Sequence, residues 1–192
     1  INWPCTPGAS TLDDSFPDVP DQITHMTPRL RDELIAAHWL AGTNELSFRD
    51  QSAAVKDQIW TAAAVHVIKE RRPNLLLLHL LITDSTQHKY GPQSPAAYTA
   101  VALADAHIAE VLRAVEAAGI RDRTTVIVTA DHGFATALKI INPNVAFRKA
   151  GLQESTPTPT LSRARAQIVS EGGTALVYFN NPETARDDRA KA

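Results

Sequence analysis

The chain has 192 residues, of which 44% are apolar and 21% are charged, and its formal net charge is −2 at pH 7. A chain of this length fits one ordinary domain, which buries roughly 70% of the surface that the unfolded chain exposes. The near balance of charge and the lack of a Lys/Arg run argue against binding to a nucleic-acid duplex. Cys5 is the only cysteine, which excludes an internal disulfide and a Cys-based zinc knuckle.

The sequence begins at Ile1 rather than Met, and no charged segment followed by an apolar stretch marks a signal peptide. The longest apolar run, residues 75–82, is far shorter than the ~18 residues that a membrane span requires. We therefore expect a piece of a longer protein with no membrane span in this chain. Residues 1–192 are predicted to form a single partial domain, with a loop-rich segment and first helix at 1–46, a βαβ core at 47–179 and a tail at 180–192.

Three helices are predicted from their ends and their apolar periodicity. Residues 1–26 are rich in Pro and Asp and predict a loop, after which Thr27-Pro28 is typical of a helix start. A second helix has an apolar stripe at helical spacing and ends at Pro73. Ser94-Pro95 begins the third helix, whose apolar period continues until Gly119.

Three segments have the composition of strands: residues 74–83, 124–130 and 174–179. The first is apolar on both alternating faces, which is typical of a strand buried inside a parallel sheet. Strand, helix and strand with short connections form a βαβ unit, so the first two strands are predicted to run parallel. The expected fold class is therefore α/β, with a mostly parallel sheet and helices on both of its faces.

Carboxylate and imidazole side chains follow the first two predicted strands. Asp84 and His88 come after the first strand, and Asp131 and His132 come after the second. Ligands of open α/β sheets bind beyond the carboxyl ends of the strands, so both pairs are expected at one edge of the sheet. Such side chains bind zinc and similar divalent ions where cysteine is absent. Four ligands leave open positions, which catalytic metals use to hold water or a phosphate oxygen.

Each motif alone has a plainer explanation. An Asp-x-x-x-His spacing is common and is more often a solvated loop than a ligand pair, and Asp131 alone fits a helix cap. The Asp-His-Gly triplet is more specific, because Gly133 permits a tight backbone path after a buried strand. The two pairs at matched strand ends together favour a metal site.

Five stretches of the sequence resemble the type I phosphodiesterase / nucleotide pyrophosphatase family, which belongs to the alkaline phosphatase superfamily. They are residues 84–92 (Asp-Ser-Thr-Gln-His-Lys-Tyr-Gly-Pro), residues 125–133, which end in Asp-His-Gly, and the shorter runs 1–4, 141–145 and 171–177. The resemblance covers nearly the whole chain. It implies an alkaline-phosphatase-like α/β domain of which this chain lacks both ends.

The resemblance also implies which residues hold metal. Asp84 and His88 would bind one ion and Asp131 and His132 the other, so the implied cofactors are two divalent metal ions, most typically zinc. The family's Thr or Ser nucleophile and one further metal Asp are expected upstream of this chain, and one further metal His downstream. Gln87 stands where the family usually has Gly, and related phosphonate-cleaving members can share this glutamine.

The function implied by the resemblance is metal-dependent hydrolysis of phosphodiester or pyrophosphate bonds in small-molecule substrates, including nucleotides. The upstream hydroxyl attacks phosphorus, so the chain alone is expected to be weakly active or inactive. A phosphonoacetate-hydrolase-like enzyme or another phosphatase of the superfamily is the alternative of the same class. A non-catalytic, metal-binding pseudoenzyme is the alternative of another class. The resemblance is also typical of periplasmic or secreted proteins, whereas no substrate-binding residue or oligomeric state is indicated.

Overall fold

The computed structural model describes residues 14–16, 18, 26–40, 51–153 and 164–191, in two compact units, Ile1–Thr136 and Ala137–Ala192. Most of the predicted loop at 1–26 lies outside these residues. The first unit contains α1 (Pro28–Ala36), α2 (Ala53–Arg71), α3 (Ile82–Tyr90), α4 (Pro95–Ala117) and a 3-10 turn (Arg121–Arg123). The second contains α5 (Pro143–Lys149), β1 (Ala166–Glu171), β2 (Thr174–Phe179) and α6 (Ala185–Lys191). Within the described ranges, no helix has the length and apolarity needed to cross a membrane.

The predicted starts of α1 and α4 and the predicted end of α2 are confirmed, whereas α1 ends at Ala36 rather than at the predicted Gly42. Proline occupies the first turn of α1, as it does in α4. The Ser94 hydroxyl accepts the backbone N–H of Ala97 at 3.1 Å and so begins α4. Helix α2 ends at Arg71, because Arg72 adopts a left-handed conformation (φ 49°) immediately before Pro73.

The core of the first unit lies between its helices. Trp60 of α2 is buried and packs edge-to-face on Phe16, with ring centroids 6.1 Å apart. Leu34 of α1 belongs to the same apolar cluster. A second cluster joins α2 to the end of α4, and its buried members are Ile68, Ala114, Val115 and Ile120. Helix α4 also packs against α3, so α2, α3 and α4 form one helical layer.

The second unit contains an antiparallel strand pair. Strand β2 has the bounds predicted from sequence, and it pairs with β1 in a register that matches Ala166 with Phe179. The hairpin turns at Gly172, whose φ of 69° favours glycine. Phe147, Leu152 and Ala166 are buried together in this unit.

The predicted parallel sheet is not shown in the described part of the chain. Residues 74–81 and 124–130 carry no strand there, while residues 82 and 83 lie in α3. An apolar, β-branched segment forms a strand only where a neighbouring strand accepts its backbone hydrogen bonds. Neither segment has such a neighbour among the described residues, and Leu75 and Ile127 are 72% and 79% exposed. The chain is thus a mixed α and β protein whose described sheet is small and antiparallel.

Candidate metal centre

Helix α3 places Asp84 and His88 on one face, one turn apart. The sequence predicted these residues in a loop after a strand, whereas the structure places them within Ile82–Tyr90. The Nε2 atom of His88 lies 3.3 Å from Oδ1 of Asp84. Gly91 ends the helix with a φ of 81°, a backbone conformation that disfavours residues with a Cβ atom. The pair therefore projects from a short, sharply terminated helix.

Asp131 and His132 come from the irregular segment that follows the 3-10 turn. The backbone N–H of His132 donates to Oδ1 of Asp131 at 3.0 Å, which fixes the path of the chain between the two side chains. Nε2 of His132 lies 3.7 Å from Oδ2 of Asp131 and 3.6 Å from Oδ1 of Asp84. The second pair is thus next to the first in space.

The hydrogen bond of the His132 ring indicates its tautomer. Nδ1 of His132 is 3.1 Å from the backbone oxygen of Gly133. A carbonyl oxygen only accepts hydrogen bonds, so Nδ1 carries the proton in this contact. In the neutral ring, Nε2 then has the free lone pair. This is the form in which histidine binds a metal while its other nitrogen is held by a carbonyl.

Oδ1 of Asp84 is the atom that both predicted imidazoles face, whereas Asp131 contacts only His132 among the four residues. The Asp84 oxygen faces Nε2 of His88 at 3.3 Å and Nε2 of His132 at 3.6 Å. The lone pair of a neutral imidazole and a carboxylate oxygen repel each other unless a proton or a cation lies between them. Carboxylate oxygens and imidazole nitrogens are the donor types that bind divalent cations of the borderline type.

The ring distances show how open the cluster is. The rings of His88 and His132 are 6.5 Å apart between centroids. Among the described residues, no group of three or more His, Cys, Asp or Glu side chains has an arrangement that could hold a metal ion as it stands. The side chains of all four residues are at least 43% exposed, so solvent and substrate can reach them.

Phe134 forms one wall of the cluster, and the sequence interpretation missed it. Its ring packs edge-to-face on His88 at 4.9 Å and on His132 at 5.3 Å. Such contacts restrict the rotation of both imidazoles. Its position directly after the Asp-His-Gly triplet was the signal in the sequence that could have identified it.

Asp57 is a second residue that the sequence interpretation missed. It lies in α2 and is fully buried, yet its two carboxylate oxygens accept the backbone N–H groups of Leu81 and Ile82 at 2.8 and 2.9 Å. Burial raises the pKa of the Asp57 carboxyl, and the two backbone donors partly offset this effect. No motif marks this aspartate, because its partners are backbone atoms of a distant segment.

A groove of about 480 Å³ adjoins the cluster through Phe134. Its walls come from the end of α3, the start of α4 and residues 134–136, and they include Gln87, Tyr98 and Thr136. None of its lining residues is charged. Gln93 at its edge adopts a left-handed backbone conformation, with φ of 61°. The groove therefore offers apolar and hydrogen-bonding contacts beside an anionic and imidazole cluster.

Comparison with known proteins gives one family and one relative. The type I phosphodiesterase / nucleotide pyrophosphatase family matches residues 2–192. The human protein named ectonucleotide pyrophosphatase/phosphodiesterase family member 7 is 33% identical over 76 residues, which are 40% of this chain and 17% of that protein. No solved structure gives a significant match.

The structure defines a mixed α and β protein that groups two carboxylates and two imidazoles beside an uncharged groove. With the match over almost its full length, the chain belongs to the type I phosphodiesterase / nucleotide pyrophosphatase family. The predicted family resemblance is thereby confirmed. The family is normally metal-dependent.

Proposed function

We propose that the protein containing this chain is a metal-dependent hydrolase of phosphodiester or pyrophosphate bonds in small molecules. Family membership supports a hydrolase of this type. The observation that carries the proposal is the position of Asp84, whose Oδ1 atom faces both imidazoles within 3.6 Å. Side chains of the types that bind metals thus lie close together although they come from two separate segments of the chain.

In this proposal Asp84 and His88 hold one divalent ion, and Asp131 and His132 hold the other. Zinc is the preferred candidate, because oxygen and imidazole nitrogen together suit it. Ions bound in this way polarise phosphoryl oxygens and activate a hydroxyl or water at neutral pH. The carboxylates supply the negative charge that holds the cations, and the Gly133 carbonyl keeps the lone pair of His132 free for ligation.

The proposal places the nucleophile outside this chain, as a Thr or Ser hydroxyl upstream of Ile1. That hydroxyl would attack phosphorus and displace the alcohol or phosphate leaving group, and water would then hydrolyse the covalent phospho-enzyme to free the hydroxyl and the phosphorylated product. The 192-residue chain alone is therefore proposed to be nearly inactive. The uncharged groove beside Phe134 would receive the part of the substrate that does not react.

Replacing His88 by Ala tests this function in the longer protein. His88→Ala removes a neutral ligand from one ion, while Asp84 still supplies the charge and the second pair remains. We expect the diesterase rate at low zinc to fall by roughly 10- to 100-fold and excess zinc to restore part of it. The rate on a nitrophenyl phosphodiester is measured against free zinc at fixed pH, because protons compete for the ligands.

His38→Asn is the matched control, because His38 is exposed, lies outside the cluster and has a positive φ that asparagine tolerates. A wild-type rate of His88→Ala at low zinc would show that His88 is not a ligand. Faster cleavage of phosphonoacetate than of the diester by the unmodified protein would instead favour a phosphonate-cleaving enzyme.

A further inference from the structure

Helix α3 begins without a cap of its own. Its N-cap residue, Leu81, has no side chain that could accept a hydrogen bond from the first turn. The orphan N–H groups of Leu81 and Ile82 are taken instead by the two carboxylate oxygens of Asp57, at 2.8 and 2.9 Å. The cap of α3 is thus supplied by another helix.

The environment of Asp57 is unusual for a carboxylate, because its side chain is fully buried. Desolvation of a carboxylate is costly unless hydrogen bonds compensate for it. The two backbone donors at a helix start provide such bonds, and the partial positive charge of the helix N-terminus adds to them. The interaction therefore ties two elements together at one defined point.

The hydrogen bonds between Asp57 and the start of α3 lie close to the proposed ligands. Ile82 is followed two residues later by Asp84, and α3 has only nine residues. Because a helix moves as a rigid element, a shift of its first turn also displaces Asp84 and His88. Helix α2 is itself anchored by Trp60, which is buried three residues after Asp57 in the sequence.

We infer that Asp57 is a positioning residue, which holds α3 so that Asp84 and His88 face His132 and Phe134. Its consequence for metal binding rests on the proposed function. Its consequence for the geometry of the cluster does not, because the ring of His88 contacts the side chains of His132 and Phe134 directly.

Asp57→Asn is the informative variant. Asparagine has the same shape but only one acceptor oxygen and no charge, so one backbone donor of α3 loses its partner. We expect the NMR cross-relaxation between the rings of His88 and Phe134 to weaken in the metal-free chain. We also expect zinc affinity, measured by calorimetry, to fall about 10- to 100-fold.

Thr61→Val is the matched control for stability. Thr61 is equally buried in α2, and its hydroxyl donates to the backbone oxygen of Asp57 rather than to α3. This variant should lose stability and yet keep both the ring contact and the zinc affinity. Asp57→Ala is a second variant. The amide exchange of residues 81–90, compared with that of α4, is a second measurement of the displacement of α3.

The outcomes separate the two ideas. An unchanged ring contact in Asp57→Asn would overturn the positioning role. A weakened contact with unchanged zinc affinity would overturn its consequence for metal binding. If the unmodified chain binds no zinc, the proposed function fails and the ring contact alone decides the role of Asp57. Equal losses of zinc affinity in Asp57→Asn and Thr61→Val would also overturn it, because general destabilisation would then explain both.

Discussion

Asp84 combines two features that seldom occur together on a protein surface. Its carboxylate is accessible to solvent, and two imidazole nitrogens lie within 3.6 Å of one of its oxygens. A surface ion pair of this kind contributes little to stability, typically below about 1 kcal/mol. Stability therefore gives little reason for this arrangement, whereas the proposed binding of a cation would account for it.

Glu33 illustrates a charged group that serves stability instead. Its carboxylate binds the guanidinium of Arg71 and lies 2.9 Å from Nε2 of His66, while Arg71 also binds Asp14. The hydrogen bond from Arg71, followed by that from His66, lowers the pKa of Glu33 to about 2 from 4.5. The network joins α1 to α2 through these contacts.

The lowered pKa of Glu33 predicts an acid-dependent loss of stability. The contribution of Glu33 is present above pH 4.5 and is lost as the pH falls towards 2, because protonation removes its ion pairs. Solvent screening limits its size to about 1 kcal/mol. Glu33→Gln should therefore be less stable than the unmodified chain at pH 7 and nearly equal to it near pH 2. Urea unfolding across this range measures the difference, and Glu70→Gln, at an exposed position of α2, is the control.

At the scale of elements, α3 is defined at both of its ends. Asp57 caps its start, and Gly91 ends it with a positive φ. Beyond that end, the Ser94 hydroxyl donates to the backbone oxygen of Gly91 at 2.9 Å and accepts the N–H of Ala97 at 3.1 Å. A single serine thus links the end of α3 to the start of α4.

Ser94→Ala should destabilise the chain by about 1 kcal/mol, the usual cost of removing an N-cap serine. Thermal unfolding followed by circular dichroism measures the loss. Ser85→Ala, at an exposed position inside α3, is the control and should change stability by less than about 0.5 kcal/mol. A melting temperature of Ser94→Ala equal to that of the control would contradict the capping role.

The elements differ in how well the sequence predicted them. Helices α2 and α4 were predictable, because a helical apolar period, the proline that follows α2 and the serine cap of α4 are local signals. The cap of α2 is Ser52, whereas the sequence predicted it at Ser47 and Asp50, both of which lie outside the described residues. Strand β2 was predictable from its composition, but its partner β1 was not, because pairing depends on a separate segment. Residues 74–81 and 124–130 have the composition of strands, but no neighbouring strand pairs with them among the described residues. Composition alone does not show whether such a partner exists.

At the scale of the whole molecule, the proximity of the four predicted residues was more predictable than the architecture that positions them. Asp84, His88, Asp131 and His132 were selected by residue type and by their places after two apolar segments, and the structure brings them together. The sequence predicted that the edge of a parallel sheet positions these residues, whereas in the structure a capped helix and an irregular segment position them. Asp57 was not predictable, because its role depends on tertiary contact with backbone atoms.

We propose that Asp84, His88, Asp131 and His132 bind divalent metal. Calorimetric titration of the metal-free chain with zinc measures this binding. We expect saturable binding of two ions, and we expect the double replacement Asp131→Ala with His132→Ala to abolish the binding of one of them, since it removes both of that ion's ligands in this chain. Asp122→Ala with His38→Asn is the matched control, at exposed positions outside the cluster, and it should bind like the unmodified chain. Equal zinc binding by the Asp131→Ala/His132→Ala chain and by the unmodified chain would contradict the account.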